Sequence, residues 1–437
     1  MCVFQDNTPK TILATQSNEA LRLVANQSVG FLLKENPDLL VFPQCLNDCE
    51  DDLKNINIIG LYESVNADNV RHFHIQPTNL VGYFGIRDTS VSIISRFSNT
   101  EKQNMDYFLH YLLFKTLSIN LFNLEHSISE EDSVFDFLIL LFPGLLKQAL
   151  TQGVYKEYRS FEKNDSNVKG RIDISRHFRN NIPFNGKIAY QSREISYDNS
   201  ITELIRHTIE VIKNTEFGRQ ILSADVETSD CIKEIVAATP AYSRSGRNSV
   251  IQANIKPSRH PYYTKYRPLQ NLCLRILRHQ KIRYGKNSQK IYGVLFDMSW
   301  LWEEYLAQLI PEYIHPQNRK GIGAIYLGKN GALERYPDFY QKKSGGIVLD
   351  AKYKNSIDRN DQHQVIAYMY RLQSKYGAFL MPRRVQEKAV QTELLGYGKQ
   401  LGYHYLNVPQ EEDTFVNFCL SISESEKSFQ KEILALD

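Results

Sequence analysis

The alternation of apolar and polar positions divides the chain into predicted strands and helices. Apolar runs at 80–86 and 91–97 flank a polar turn, which is typical of two paired strands. Elsewhere, apolar residues at three- and four-residue spacing predict amphipathic helices. These helical segments are residues 17–34, 103–121, 127–152, 200–213, 269–279, 297–306, 361–376 and 408–437, the last of which includes an acidic tail.

The helical segment at 361–376 carries a specific prediction about its buried face and its end. Gln364 lies on a polar edge beside the apolar stripe. Gly377 is predicted to stop the helix, because glycine commonly follows a helix C-terminus. The predicted buried stripe consists of Val365, Tyr368, Met369 and Leu372.

Two short segments ahead of this helix combine strand patterns with acids and a lysine. The run YPDFY contains Asp338, and the run IVLDAKY contains Asp350 and Lys352. Side chains alternate along a strand, so Asp350 and Lys352 share one face. A Gly-Gly pair in the connection favours a turn that brings Asp338 beside them. Two carboxylates suit Mg²⁺, and the ammonium group adds positive charge for a phosphodiester.

The same pattern has a simpler alternative interpretation. Asp350 and Lys352 could form a surface ion pair on an edge strand. A second loose match, with Asp38, Asp52 and Lys54, has no apolar strand before it and is predicted to be a solvated loop. The strand context favours a nuclease site at Asp350 and Lys352, and the surface pair remains open at this point.

The helix at 297–306 supplies further candidate ligands. It begins with capping residues and carries Glu303 and Glu304, either of which could lie beside a metal ion. Exposed helix glutamates are the alternative. A carboxylate helix followed by two strands and a second helix with Gln364 meets the needs of a compact nuclease core.

The order of these segments resembles the PD-(D/E)xK nuclease superfamily, and two motifs in the middle of the chain narrow the resemblance. VKGRIDI at 168–174 and EISYDNS at 194–200 are similar to the central motifs of the McrC family, the nuclease subunit of McrBC-type modification-dependent restriction systems. LWE, ending at Glu303, takes the place of that family's Leu-Phe-Glu. Residues 361–368 match its Asp-x-x-Gln-x-x-x-Tyr helix. The resemblance covers about residues 150–380.

The resemblance implies a Mg²⁺-dependent endodeoxyribonuclease, with Asp338, Asp350 and Glu303 as metal ligands. It also implies a partner, the hexameric AAA+ GTPase McrB, which recognises modified cytosine such as 5-methylcytosine in double-stranded DNA. Residues 1–145 are expected to dock on that motor and stimulate GTP hydrolysis. The implied catalytic residues are Asp338, Asp350, Lys352, Glu303 and Gln364.

These observations predict an α/β (α+β) fold with three regions. Residues 1–145 form a β-rich N-terminal region that binds the partner, and residues 146–285 form a mixed, partly helical middle domain. Residues 286–437 form a PD-(D/E)xK endonuclease domain, in which helices flank a mixed central sheet.

Composition supports a globular protein and argues against several other classes. The six cysteines form no CxxC pair, so a zinc site is not predicted, and reduced thiols are typical of a cytoplasmic protein. No P-loop pattern occurs, so nucleotide hydrolysis is expected of a partner. The longest apolar stretch, residues 137–142, is too short to cross a membrane.

The net charge is only +3, but the basic residues are unevenly distributed. Residues 256–290 contain ten lysines and arginines and no acid. Such a run can neutralise DNA phosphates without reading sequence, and a solvated helix face is an equally typical alternative. The predicted DNA-binding residues are Arg275, Arg278, Lys281 and Arg283.

The middle motifs have a structural interpretation. Arg171 and Asp173 are predicted to lie on one face of a strand and form a structural ion pair, which is preferred over direct catalysis, and the same preference applies to Glu194 and Asp198. Three functions follow from the whole sequence. The first is a nuclease subunit of a McrBC-like complex. The alternatives are a stand-alone nuclease for branched or damaged DNA and a non-catalytic adaptor that activates an AAA+ motor.

Overall fold

The computed structural model separates the chain into two compact units. Unit 1 comprises Met1–Leu140 and Gly285–Asp437, and unit 2 comprises Leu141–Tyr284. Unit 2 overlaps the predicted middle domain at residues 146–285, and the predicted first and third regions share unit 1. The residues described are 2–15, 18–36, 39–43, 55–86, 89–99, 106–117, 133–256, 258, 260–282, 291–316, 323–343, 345–396 and 398–436.

Helices occur in both units, as amphipathic spacing predicts. In chain order they are α1 (Val29–Glu35), α2 (Tyr107–Leu117), α3 (Ser133–Leu150), α4 (Ile174–Asn180), α5 (Ser200–Ile212), α6 (Glu216–Leu222), α7 (Val226–Ala238), α8 (Arg247–Ala253), α9 (Tyr266–Ile282), α10 (Met298–Leu309), α11 (Arg359–Leu372) and α12 (Phe415–Leu434).

Strands form mixed and antiparallel sheets. In chain order they are β1 (Cys2–Gln5), β2 (Lys10–Leu13), β3 (Leu39–Phe42), β4 (Ile59–Val65), β5 (Arg71–Pro77), β6 (Leu80–Ile86), β7 (Thr89–Ile94), β8 (Glu157–Asp165), β9 (Arg171–Ile172), β10 (Ile188–Ser196), β11 (Ile291–Asp297), β12 (Ile325–Tyr326), β13 (Glu334–Arg335), β14 (Phe339–Tyr340), β15 (Ile347–Ala351), β16 (Tyr376–Arg383), β17 (Val390–Leu394) and β18 (Lys399–Asn407).

The sheet that contains the acid–lysine pattern lies in unit 1 and has the order β14-β15-β16-β18-β17. β15, β16 and β18 run parallel, and β14 and β17 pair antiparallel at the two edges. α11 connects β15 to β16, as a parallel pair requires a crossover. The core where α11 packs on this sheet contains Val348, Val365, Met369, Phe379 and Met381.

A second sheet of unit 1 joins N-terminal strands to a strand from the C-terminal half. Its order is β1-β7-β6-β11-β3, and the predicted pairing of β6 with β7 is confirmed. Glycines let β6 and β11 approach closely. A Cβ at Gly82 would lie 2.2 Å from the carbonyl oxygen of Val294, and one at Gly293 would lie 2.3 Å from that of Tyr83. β11 leads directly into α10, so this sheet also positions the helix that carries Glu303.

Unit 2 combines a long antiparallel strand pair with helices. β8 and β10 pair along nine residues each, and β9 adds to β10. α5 packs against α7, α8 and α9. Asn199 starts α5 through a capping box with Thr202. The Asn199 side chain also donates a 3.0 Å hydrogen bond to the carbonyl of Tyr155, which ties the helix start to the strand side of the unit.

The helix predicted at residues 17–34 is interrupted. Glu19–Leu23 is a 3₁₀ helix, and α1 begins only after Ser28, whose side chain caps it. Between them Asn26 adopts a left-handed conformation with φ of 60°. Its side chain makes hydrogen bonds of 2.7 and 3.1 Å with the backbone of Leu61. These tertiary bonds to β4 replace the helical ones that the periodicity predicted.

The prediction that Gly377 stops α11 is wrong. The helix ends at Leu372, and Gln373 follows in the left-handed conformation with φ of 53°. Gly377 instead lies within β16, where a Cβ would be 2.4 Å from Sδ of Met369. Glycine is therefore needed there because the helix and the strand pack closely.

Two predictions from composition concern thiols and membranes. Cys2, Cys231, Cys273 and Cys419 are free thiols, and the remaining two cysteines lie outside the described residues. Within the described ranges, no helix has the length and apolar character that crossing a bilayer demands.

Candidate active site

Asp338 and Asp350 face each other across two neighbouring strands. β14 pairs with β15 so that Phe339 lies opposite Leu349, and the same antiparallel register places Asp338 opposite Asp350. Oδ2 of Asp338 accepts a 2.8 Å hydrogen bond from the backbone N–H of Ala351. This bond ties the first acid to the segment that carries the second.

Asp350 is buried, and its carboxylate is only partly paired. Its exposed fraction is 1%. Nζ of Lys352 lies 2.8 Å from Oδ2 of Asp350. The buried Oδ1 has no hydrogen-bond partner among the residues that the structure describes. A buried carboxylate oxygen without a donor is costly, so a cation bound there would stabilise it.

Lys352 is surrounded by acceptors. Its ammonium group donates a 3.3 Å hydrogen bond to Oε1 of Gln364 and lies 3.8 Å from Oδ1 of Asp361, in addition to its contact with Asp350. Its backbone N–H donates to the carbonyl of Leu380 at 3.0 Å, which continues the pairing of β15 with β16. Both ends of the lysine are therefore fixed.

The amide of Gln364 has a defined orientation. Its Nε2 donates to the hydroxyl of Tyr368 at 2.5 Å, and that hydroxyl donates to the carbonyl of Tyr336 at 2.9 Å. The amide oxygen consequently points toward Lys352. Tyr336 precedes Asp338 by two residues, so α11 contacts both acid-bearing segments.

Asp361 and Tyr368 were not among the catalytic candidates from sequence. Asp361 accepts bonds of 2.8 and 3.0 Å from Lys354 and belongs to the capping box of α11 with Asp358. The match to the Asp-x-x-Gln-x-x-x-Tyr pattern contains both residues. That spacing is the signal by which they could have been found, because it places Asp361, Gln364 and Tyr368 on one helix face.

Glu303 interacts electrostatically with both acids. It lies on α10, whose first turn is capped by Asp297 through a 2.9 Å bond from the N–H of Ser299. Burial, followed by repulsion from Asp338, Asp297 and Asp350, raises the pKa of Glu303 well above its ordinary value. Glu303 therefore lies within electrostatic range of the two aspartates.

Protonation at this centre follows from burial and from the crowding of like charges. Burial, followed by repulsion from Asp338, raises the pKa of Asp350 to about 7. Burial also raises the pKa of Asp338 against the attraction of Lys352. Burial disfavours the charge on Lys352, but the nearby Asp350 and Asp338 hold its pKa above the ordinary value. Lys352 is therefore a stable cation, and the carboxylates compete for protons.

The surface ion-pair interpretation of Asp350 and Lys352 is wrong. β15 lies between β14 and β16 rather than at an edge, and all five of its residues are buried. The ion pair is therefore interior, where a charge requires a compensating partner. The second loose match, with Asp38, Asp52 and Lys54, lies outside the described residues.

The donor set fits a hard cation that keeps much of its water. In the part of the chain that the structure describes, no three His, Cys, Asp or Glu side chains form a ready metal-binding group. Mg²⁺ does not require such a group, since it is commonly held by one or two carboxylates and several waters. The facing pair Asp338 and Asp350 meets that requirement, since no described residue donates a hydrogen bond to Oδ1 of Asp350.

The VKGRIDI motif supports a helix start rather than an ion pair on a strand. β9 ends before Asp173, which caps α4 by accepting a 3.0 Å bond from the N–H of Arg176. The predicted pairing of Arg171 with Asp173 on one strand face is therefore wrong, because the chain turns into α4 at Asp173. Gly170 is required sterically, since a Cβ there would lie 2.0 Å from the carbonyl oxygen of Gln191.

The EISYDNS motif makes structural contacts within unit 2. Glu194 on β10 forms an ion pair with Lys163 on the neighbouring strand β8. Oδ2 of Asp198 accepts a 2.9 Å bond from the N–H of Ala241, and Asn199 caps α5. These contacts favour the structural role expected for Glu194 and Asp198.

The basic run is only partly accessible. α9 carries Arg275 and Arg278, both half-buried, and Nη1 of Arg275 donates to the carbonyl of Asn271 at 3.3 Å. The side chain of Lys281 and the whole of Arg283 lie outside the described residues. DNA binding by these four residues stays a prediction.

Comparisons with known proteins agree with this fold. A family profile for the McrBC 5-methylcytosine restriction system component matches residues 75–382. The chain resembles McrC bound to McrB AAA+ hexamers in a tetradecameric assembly from Thermococcus gammatolerans. That resemblance has a TM-score of 0.55 and 14% identity, and it covers 100% of this chain and 99% of that chain. A cryo-EM structure of the same organism's McrBC complex gives a TM-score of 0.37 and 11% identity, covering 71% and 87%.

Fold and site together define a mixed α/β protein with a buried centre of two acids and a lysine in its C-terminal sheet. The chain belongs to the McrBC 5-methylcytosine restriction system component family, because the profile spans well over half of its length. The resemblance first noted in the motifs is thereby confirmed. No curated protein matches the chain.

Proposed function

We propose that this chain is the Mg²⁺-dependent DNA endonuclease subunit of a McrBC-like modification-dependent restriction complex. Membership in the family supports a role in a restriction system. One observation carries the catalytic part of the proposal. Asp338 lies opposite Asp350 in the pairing of the two neighbouring strands, and the ammonium group of Lys352 lies 2.8 Å from the second acid.

Each residue of the centre has a proposed role. Asp338 and Asp350 are the metal ligands, and Glu303 is an outer carboxylate. When bound, Mg²⁺ supplies a Lewis acid that polarises a phosphate oxygen and lowers the pKa of water. Lys352 keeps its proton and donates to the phosphate, where it stabilises developing negative charge. Gln364 holds that ammonium group in place through its 3.3 Å contact.

The proposed partner is a McrB-like AAA+ GTPase hexamer. The structurally similar McrC from Thermococcus gammatolerans is bound to McrB AAA+ hexamers, which supports the proposal by analogy of fold. Residues 1–145 are the proposed docking region. The substrate is double-stranded DNA, with modified cytosine recognised by the partner in the cytoplasm, and the basic run of α9 is the proposed phosphate contact.

A cleavage assay with Asp350→Ala tests this function. The variant and the wild type are mixed with the GTPase, methylated plasmid, GTP and Mg²⁺. We expect cleavage to be abolished in the variant. Complex assembly and GTPase stimulation should be preserved, because the Asp350 side chain is buried and does not lie on the surface. Glu393→Ala on the exposed edge strand β17 of the same sheet is the matched control and should cleave normally.

The same assay separates the alternatives. An active Asp350→Ala protein would refute the proposed site. Cleavage by the wild type without any GTPase would favour a stand-alone nuclease. Stimulation of the GTPase by a wild type that never cleaves would favour the adaptor function.

A further inference from the structure

Arg96 contacts the backbone directly after the catalytic lysine. It follows β7 in the N-terminal sheet, and its Nη2 donates to the carbonyl oxygen of Tyr353. Tyr353 is the residue after Lys352. The N-terminal part of unit 1 therefore touches the acid–lysine segment through a charged hydrogen bond, which is stronger than a neutral one.

The same guanidinium nitrogen also contacts the connection that supports α10. Nη2 of Arg96 donates to Oδ1 of Asn79 at 3.3 Å. Asn79 in turn accepts a 3.1 Å bond from the N–H of Met298 at its carbonyl and donates from Nδ2 to Oγ of Ser299 at 3.0 Å. These are the first two residues of α10, the helix that carries Glu303.

Tyr353 is held by more than this carbonyl contact. Its ring lies under the guanidinium of Arg96, with 4.6 Å from Cζ to the ring centroid. Its hydroxyl is 2.7 Å from Oγ of Ser95, and its ring meets that of Phe97 edge-on at 5.0 Å. With an exposed fraction of only 2%, Tyr353 cannot move without breaking this set of contacts.

Arg96 is itself fixed from the opposite side. Its side chain is 11% exposed, and its Nε lies 3.6 Å from Oδ2 of the fully buried Asp6. Oδ1 of Asp6 accepts a bond of 2.5 Å from the N–H of Arg96. Both the charge and the backbone of Arg96 are therefore anchored on the N-terminal sheet.

We propose that Arg96 is a positioning residue that sets the spacing between Lys352 and Glu303 by holding Tyr353 and Asn79 with one guanidinium nitrogen, Nη2. Arginine suits this task because its donors are planar and rigid, whereas lysine offers a flexible point charge. Displacement of a catalytic group by about 1 Å can cost on the order of 100-fold in rate. The inference deepens the proposed nuclease function and rests on it for the catalytic readout.

Arg96→Lys is the decisive variant, because it retains a cation for Asp6 and removes the planar guanidinium that carries Nη2. Hydrogen–deuterium exchange of the metal-free protein is measured at the Lys352 amide, which donates to Leu380. Cleavage with the partner is measured in parallel. We expect faster exchange at Lys352 and a fall of about tenfold or more in cleavage rate, with KM and the melting temperature little changed.

Two controls accompany this variant. Arg22→Lys removes a more exposed guanidinium that pairs with Glu63 and lies over the Phe73 ring. It lies far along the chain from the acids and should leave exchange at Lys352 unchanged. Ser95→Ala removes the hydroxyl that contacts Tyr353 and accepts a 3.1 Å bond from the N–H of Phe97, and it should give a smaller effect than Arg96→Lys.

The outcomes separate the two proposals. Wild-type exchange and wild-type cleavage in Arg96→Lys would overturn the positioning role. A lowered melting temperature with unchanged exchange at Lys352 would also overturn it, because the residue would then be merely structural. If the wild type does not cleave at all, the nuclease proposal fails, while the exchange comparison still decides whether Arg96 positions Lys352.

Discussion

Oδ2 of Asp338 accepts a hydrogen bond from the backbone N–H of Ala351. Ala351 separates Asp350 from Lys352, so one short contact sets the position of the first acid relative to both other groups. β14 has only two residues, so it offers no strand partner to the N–H of Ala351 at the end of β15. The side chain of Asp338 accepts from that N–H instead. The acids are held close by backbone geometry, although their like charges oppose that proximity.

Asp350→Asn should stabilise the metal-free protein, and more so at alkaline pH. The folded state raises the pKa of Asp350 to about 7 from an unfolded value of 3.8. The folded state therefore binds more protons between these values, and stability falls as pH rises from about 4 to about 7. Asparagine carries no charge, so the free energy of unfolding of the variant does not fall with pH at this position. We expect a gain on the order of 1–3 kcal/mol at pH 8.

Urea unfolding in EDTA at pH 5 and pH 8 measures this gain. At pH 5 only the first part of this loss has occurred, so the gain from Asp350→Asn should be smaller than at pH 8. A gain that is larger at pH 5 than at pH 8 would contradict the raised pKa. Metal affinity of the wild type should correspondingly rise as pH increases through about 7, because protons compete with the cation.

Gln364→Ala should slow cleavage without unfolding the protein. The change removes the oxygen that accepts from Lys352 at 3.3 Å and frees the hydroxyl of Tyr368 from its amide donor. The ammonium group would then sample other positions, and we expect a rate loss of about tenfold. The measurement is single-turnover cleavage with the GTPase present.

Gln362→Ala is the matched control for that variant. Gln362 lies on the same helix but donates to the hydroxyl of Tyr403 at 3.1 Å rather than to the lysine. It should cleave at nearly the wild-type rate. Equal losses of cleavage rate in Gln362→Ala and Gln364→Ala would show that the contact between Gln364 and Lys352 has no specific role.

Gly377→Ala should destabilise unit 1. The added Cβ would lie 2.4 Å from Sδ of Met369 and 2.9 Å from Cγ1 of Val365, so α11 must move away from β16. Overpacking of this kind costs about 1–3 kcal/mol. Gly60→Ala in β4 is the control, since its Cβ would meet neighbours only at 3.6 Å or more. Similar urea midpoints for the two variants would contradict the packing argument.

Charge reversal on the basic run should weaken DNA binding at low salt. Arg278, Lys281 and Arg283 are changed to glutamate, and Arg275 is left intact because it bonds to the carbonyl of Asn271 on its own helix. We expect the slope of log K against log salt to fall by about 0.9 for each phosphate that the protein no longer neutralises. Fluorescence anisotropy across a salt series measures both quantities.

Reversal of Lys213, Arg219 and Lys233 serves as the control for charge alone. These residues lie elsewhere in unit 2 and change the net charge by the same amount. DNA affinity that falls equally in both triple variants would indicate a general charge effect. Affinity that is unchanged in the α9 variant would remove the proposed phosphate contact.

Much of the fold was predictable from local pattern, and the failures have a common cause. The pairing of β6 with β7 follows from apolar runs around a polar turn, and α5 follows from its spacing and from Asn199. The prediction of one continuous helix at residues 17–34 was wrong because the side chain of Asn26 forms a hydrogen bond with Leu61, which is distant in sequence. The prediction that Gly377 ends the helix was wrong because this glycine leaves room for Met369 in the packed structure, which residue spacing does not reveal.

The candidate site shows the same division. Alternation along a strand correctly placed Asp350 and Lys352 together, and turn chemistry brought Asp338 opposite Asp350. Whether the pair was exposed or interior could not be read from the pattern, since burial of β15 depends on β14, β16 and α11. Arg96 carried no signal at all, because nothing in its neighbourhood marks a contact with Tyr353 across more than 250 positions.

The sequence by itself determined the strands, the helices, the acid–lysine spacing and the motifs that indicate the family, because these depend on neighbours a few residues apart. Only the tertiary structure decided that Asp350 is buried with an oxygen that no described residue hydrogen-bonds, that Glu303 lies within its electrostatic range, and that Arg96 contacts the segment after Lys352. These properties arise from desolvation and from contacts between distant segments, and both exist only once the chain has packed.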